Sequence, residues 1–161
     1  MKVEILCIGK LKEGYWREAL AEYSKRLSRF CKFVVTELPE TKLPENAGLA
    51  EEQMVIRTES EALLKKLSRG PNSYSVALAV KGKQLSSEEL AQKIADLSLD
   101  GKSEITFVIG GSLGMSQELL SACDYQLSFS KMTFPHQLMR VILSEQIYRA
   151  FKINANETYH K

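Results

Sequence analysis

No two cysteines in this chain stand close enough to form a CxxC pair, and the three present, Cys7, Cys31 and Cys123, are odd in number. A disulfide framework and a cysteine-rich zinc site are therefore excluded as the basis of the fold, and a reducing compartment suits the count. Histidine is scarcer still: His136 and His160 are the only two, and their separation is not that of a metal motif. No metal is expected. Long apolar runs are also missing. The opening MKVEILCIGK carries Glu4 inside a very short one, which fits neither a signal peptide nor a membrane span. Neither charge sign dominates, the net value being only +2. With 44% apolar and 26% charged residues, the 161-residue chain has ordinary globular composition, which excludes a disordered or low-complexity protein. The expectation is a cytoplasmic protein that avoids membranes, a single domain over residues 1–161 with a core of its own.

Charge is unevenly placed. Residues 10–32 hold seven basic residues against three acidic ones, and residues 131–161 hold five against two. Two local basic surfaces on a near-neutral chain can serve a polyanion, although charge clusters of this kind are more often solvated faces.

Apolar periodicity alternates between two kinds of segment. Val3–Ile8 is a short apolar run ending at Gly9, a strand, and Trp16, Ala19, Leu20, Tyr23, Leu27 and Phe30 follow at the spacing of one helix face. Phe33–Leu38 returns to strand composition, and Pro39–Ala47 is a loop. Residues 49–68 form a charged helix stopped by Gly70-Pro71. Ser75–Val80 is a strand leading to a turn at Lys81-Gly82-Lys83, and Ser86 with Glu89 makes a capping box for a helix with Leu90, Ile94 and Leu97 on its face. Glu104–Ile109 is a strand, about Ser116–Ala122 a short helix and Tyr125–Phe129 a strand. Pro135 falls in the first turn of a long helix reaching about Phe151. Strands separated by helices in this way predict an α/β fold with a mostly parallel sheet flanked by helices.

Two segments could carry chemistry. In ITFVIGGSLGMS, residues 105–116, an apolar strand runs into two glycines, and Gly114 follows before a helix. Ligands of open α/β sheets bind beyond the carboxyl ends of strands, where glycine lets backbone approach them. The GGxxG spacing is not the dinucleotide fingerprint, no acidic residue ends the next strand, and no Lys-Ser or Lys-Thr pair follows as in a P-loop. The segment suits a ligand held by backbone and apolar walls, or else a tight turn that binds nothing. The second segment runs from Ser128 to the end. Its helix is apolar around much of its circumference and needs partners on two sides, and it leads to the unusual tail Tyr159-His160-Lys161. No Ser/His/Asp constellation supports acyl transfer.

The runs LAVKGKQLSSEELA (78–91), FVIGGSLGM (107–115) and LSFSKMTFPHQLMRVILSEQIYRAF (127–151), with the terminal YHK, resemble the RlmH family, and the likeness extends over nearly the whole chain. The resemblance implies a SPOUT-type fold with a C-terminal trefoil knot in a cofactor-binding half from about 75 to 161. It also implies a homodimer and S-adenosyl-L-methionine as cofactor. The activity it implies is methylation of N3 of a pseudouridine in large-subunit ribosomal RNA. General topology rules alone would argue against a knot. The family's cofactor contacts carry over to Leu78, Gly110, Phe129, Ser130, Lys131, Met132, Thr133 and Phe134; Val80-Lys81 is less polar than many relatives have before Gly82. Because N3 must lose a proton, a base or an ion-stabilising cation is needed, and Arg140, Tyr159 and His160 are the catalytic candidates. The assembled ribosome is the expected substrate, with Arg149 and Lys152 on phosphates. The rival readings are a non-catalytic RNA-binding or ribosome-associated module and a nucleotide-binding oxidoreductase.

Overall fold

A computed structural model describes residues 1–161. The chain runs β1 (Lys2–Ile8), α1 (Gly14–Leu27), β2 (Lys32–Leu38), α2 (Leu49–Lys66), β3 (Ser73–Gln84), α3 (Ser87–Leu99), β4 (Glu104–Ile109), α4 (Gln117–Ala122), β5 (Tyr125–Ser128) and α5 (His136–Asn154). The five strands pair in the order β2-β1-β4-β3-β5, all parallel. The α/β reading with a mostly parallel sheet thus holds, and more strictly than expected.

Period-two alternation assigns each strand residue to a face. Val3, Ile5 and Cys7 of β1, with Ile105, Phe107 and Ile109 of β4, join the larger core cluster, which includes Leu27, Leu90, Ile94, Leu143 and Ile147. Leu6, Ile8 and Val108 point the other way, onto Leu63 of α2, Leu67 just past its end and Leu119 of α4. The result is a three-layer arrangement, with α1, α3 and α5 on one face and α2 and α4 on the other. Burial on both faces explains why β1 and β4 read as nearly continuous apolar runs.

Ser86 accepts the backbone N–H of Glu89 while Glu89 accepts that of Ser86, so the capping box forms as expected. Most boundaries shift by a residue or a few, and three of the differences matter. α1 ends at Leu27, leaving Phe30 in the following turn, where it still stacks on Phe151. Pro135 is the N-cap of α5 rather than a residue of its first turn. The Lys81-Gly82-Lys83 turn is instead part of β3, which breaks register: Leu78 and Lys83 both face Leu127 of β5. The strand bulges between these two points and then resumes beside the same neighbour. A Cβ on Gly82 would lie 2.6 Å from the Gln126 carbonyl oxygen, so only glycine permits this crossing of two backbones.

The apolar α5 finds partners on both sides within its own chain, since it packs between α1 and α3 against the sheet. Leu138, Val141, Ile142, Glu145 and Arg149, at helical spacing, form its half-buried outer face.

Candidate functional site

Three neighbouring parallel strands, β4, β3 and β5, end along one edge of the sheet. A cavity of about 480 Å³ opens there. Its walls come from the β3 bulge (Leu78, Ala79, Val80), the β4–α4 turn (Ile109, Gly110, Gly111, Met115), the β5–α5 loop and the first turn of α5 (His136, Met139). Each wall has a local cause. The β4–α4 turn folds on itself: Gly114 has φ +91°, its N–H donates to the Gly111 carbonyl at 3.0 Å, and a Cβ on Gly110 would lie 2.7 Å from Met115 Cγ. Ser128 Oγ donates to the Val80 carbonyl at 2.8 Å, tying the bulge to β5. Ser130 Oγ accepts the Met132 N–H at 3.0 Å, turning the β5–α5 loop towards the cavity.

Of the expected cofactor residues, Leu78, Gly110, Phe129, Ser130, Met132, Thr133 and Phe134 line this one cavity, whereas Lys131 is exposed and does not. Ala79, Val80, Met115, His136 and Met139 also line it and were missed by sequence reasoning. All five lie within the runs that carry the family resemblance, but nothing in residue type or spacing separates Met115 and Met139 from ordinary core residues. No lysine or arginine lines the cavity. Backbone groups at three strand ends, apolar and aromatic walls and the absence of a phosphate cradle fit a nucleoside ligand that carries no phosphates.

Arg140, Tyr159 and His160 are not brought together. Arg140 is 0% exposed. It donates to the Ile8 carbonyl at 2.6 Å and to Glu37 at 3.0 Å, and its Nε has no partner. So placed, it ties α5 to the ends of β1 and β2 and reaches solvent at no point. Tyr159 and His160 dock lower on α5. Tyr159 donates to Glu145 at 3.1 Å and packs edge-on against Tyr148. His160 Nδ1 lies 3.2 Å from Arg149 Nη1 and its Nε2 lies 2.7 Å from Glu88. Arginine can only donate, so Nδ1 accepts and Nε2 is left to donate to Glu88. Nine helical residues separate His136 from Glu145, roughly 13 Å along the axis, so the docked tail does not reach the cavity of its own subunit. Arg149 and Lys152 are engaged by Glu145 and Glu157.

Electrostatics sharpen these roles. Burial, and then Glu145, push the Tyr159 phenol up to about 12, which makes it a donor rather than a base at neutral pH. Burial and, less strongly, Arg140 lower the His136 imidazole, so it faces the cavity uncharged. Burial raises Cys7 and Cys31 to about 11, which leaves neither as a nucleophile. No group of three or more His, Cys, Asp or Glu side chains converges to hold a metal, and no helix is long and apolar enough to cross a membrane.

The family model described as "Predicted SPOUT methyltransferase" matches residues 1–160. The chain belongs to the SPOUT methyltransferase family. Within that family it groups with proteins named ribosomal RNA large subunit methyltransferase H. The one from Clostridium novyi (strain NT) is 56% identical over 161 residues, 100% of both chains. Those from Bifidobacterium adolescentis and Clostridioides difficile are 54% and 50% identical over the same full span. A solved structure described as a probable methylase family protein from Haemophilus influenzae Rd KW20 superposes with a TM-score of 0.54. It is 15% identical, with 99% of this chain and 70% of that one covered, and supports the fold. The SPOUT assignment places the three-loop cavity in a methyltransferase.

Proposed function

We propose that this SPOUT protein transfers a methyl group from S-adenosyl-L-methionine to N3 of a pseudouridine in large-subunit ribosomal RNA. It acts in the cytoplasm as a homodimer, on the assembled ribosome. The observation that carries the reading is the single cavity into which the ends of three adjacent strands turn backbone and apolar walls. Residues from about 75 onward form the cofactor half. The close crossing of Gly82 against Gln126 supports a threaded C-terminal half, the trefoil knot.

When bound, the cofactor supplies a methyl group on a positively charged sulfur. The chain contributes position and exclusion of water: Phe129, Phe134 and Met115 bound the cavity, and the Gly110 turn brings backbone to its edge. The N3 proton must leave as the new N–C bond forms. His160 is our candidate to receive it and Tyr159 to donate a hydrogen bond beside it. In the docked tail the His160 Nδ1 lone pair faces Arg149, so this role requires the tail to leave Glu88 and Arg149. A second subunit provides the destination. The half-buried face Leu138, Val141 and Ile142 supports pairing of α5 helices, which would set one subunit's tail against its partner's cavity. In this reading Arg140 acts through the ends of β1 and β2 that it holds, and Lys131 lies on the rim, towards the RNA.

The test is transfer of labelled methyl to protein-free ribosomal RNA, to isolated large subunits and to whole ribosomes. Transfer to ribosomes well above that to free RNA is expected. Cofactor binding without transfer to any of the three would favour the non-catalytic RNA-binding module. NADH binding in place of S-adenosylmethionine would favour an oxidoreductase.

A further inference from the structure

Glu59 of α2 is 4% exposed. Its Oε1 accepts the Thr41 backbone N–H at 3.0 Å, and no lysine, arginine or histidine pairs with it. The charged group that bears on it is Glu40, of the same sign. An ionised carboxylate buried without a counter-ion is costly, and burial accordingly raises this group's affinity for a proton.

Its position gives that cost a use. A Cβ on Gly111 would lie 2.4 Å from Glu59 Oε2, so the carboxyl fills the space where a side chain at 111 would go. Gly111 itself lines the cavity. Glu59 therefore stands one glycine behind the wall. The next residue braces the other end of the same turn, since Ser60, 1% exposed, accepts the Ser116 N–H at 2.9 Å. α2 thus holds the far end of the turn through Ser60 and packs the Glu59 carboxyl against its near end.

We propose that Glu59 makes the cavity select for charge, favouring the cationic sulfonium cofactor over its neutral thioether product. The proposal rests on the methyltransferase reading above. The two ligands differ by one methyl group and one positive charge. In an apolar cavity a carboxylate that close to the wall is weakly screened and distinguishes them by that charge. Binding of the cation draws the proton off Glu59. Once the methyl group has gone to the acceptor nitrogen, sulfur retains the electron pair of the broken bond and is neutral. Glu59 then recovers a proton from solvent, and the product is held less tightly than the substrate.

Calorimetric titration of the full chain with S-adenosylmethionine and with S-adenosylhomocysteine tests this. Glu59→Gln keeps the acceptor for the Thr41 N–H and removes the charge. It should weaken S-adenosylmethionine about tenfold and leave S-adenosylhomocysteine within about twofold. In the wild type, titrations in two buffers of different ionisation enthalpy should show more protons released with the sulfonium than with the thioether under mildly acidic conditions. His136 faces the cavity and Glu40 bears on Glu59, and both are kept in Glu59→Gln; the difference that disappears in that variant belongs to Glu59. Equal weakening of both ligands, or of neither, would overturn the proposal. If Glu59→Gln does not fold, equal proton release by the two ligands on the wild type overturns it instead. A wild type that binds neither ligand would sink the methyltransferase reading itself, a result distinct from a lost preference between them.

Discussion

The cavity and the tail are built from opposite materials. The cavity is shaped by backbone: Gly82 lets two strands cross, Gly110 and Gly114 close a turn, and the polar contacts that hold its loops are serine hydroxyls on carbonyls and amides. The tail is held by side chains that carry charge or dipoles, with Glu145, Arg149, Glu88, Tyr159 and His160 in one network. Backbone geometry persists over a wide pH range and admits no substitution at its tight points. A charged network on a partly open surface contributes little to stability, is screened by salt and exchanges partners readily. The molecule thus joins a cavity shaped by backbone to a tail clasped by side chains, and the two can be disturbed separately.

The comparison breaks most sharply at Gly82. Gly82→Val would set a side chain against the Gln126 and Leu127 backbone, which cannot withdraw without parting β3 from β5. A loss of ~3 kcal/mol or more is expected, read from urea unfolding. Stability near wild type would mean that the two backbones do not cross so closely. Gly110→Val would clash with Met115 and Gly114 of its own turn, so it should lose cofactor affinity by distorting the turn as well as by filling the cavity.

Arg140 divides the two regions and tests its own role. Arg140→Ala would take the guanidinium donor from the Ile8 carbonyl, break the ion pair to the more open Glu37 and leave a cavity where a fully buried side chain had been, a loss of about 3 kcal/mol. If the variant unfolds at the wild-type denaturant concentration while methyl transfer falls, Arg140 acts on the reaction and the brace assigned from its burial is wrong.

Much of this was legible in sequence, for identifiable reasons. Strands buried on both faces leave unbroken apolar runs, and a capping box leaves two residues at a fixed spacing, so the alternating α/β order could be read directly. The glycine turn was legible because only its residue type permits it. The β3 bulge was not: Lys81-Gly82-Lys83 has turn composition, and the constraint on Gly82 comes from Gln126, far away in the chain. Glu59 was hidden for the same reason. On a helix with three other glutamates, nothing local separates it from the exposed Glu51 or Glu61. Arg140 shared a helix side with His136 in sequence, but its burial depends on Glu37 and Ile8 of other strands.

Removing residues 158–161 addresses the tail directly. The docked tail touches no residue of its own cavity, so S-adenosylmethionine affinity should stay within about twofold. Methyl transfer to ribosomes should fall by about a hundredfold or more, the usual contribution of a positioned proton-transfer group. Transfer at the normal rate would make the tail a structural clasp and remove Tyr159 and His160 from the chemistry.

The smallest effect concerns whether the tail is docked in solution at all. Burial is the larger cause and Glu145 the second in raising the Tyr159 phenol to about 12. A raised pKa means that the docked form holds the proton more tightly than the free tail does. The stability gained is fully present below the ordinary tyrosine value of about 10 and disappears as pH rises through about 12. Tyrosinate absorbance of the wild type minus that of Tyr159→Phe isolates this one ring. Its step should lie near 12, and Glu145→Gln should bring it down only part of the way, because burial against Tyr148 and beneath Arg149 remains. A wild-type step already at about 10 would show a tail that stands free of Glu145. The cavity's backbone walls would be unchanged by that result, but His160 would then need no release before it could act.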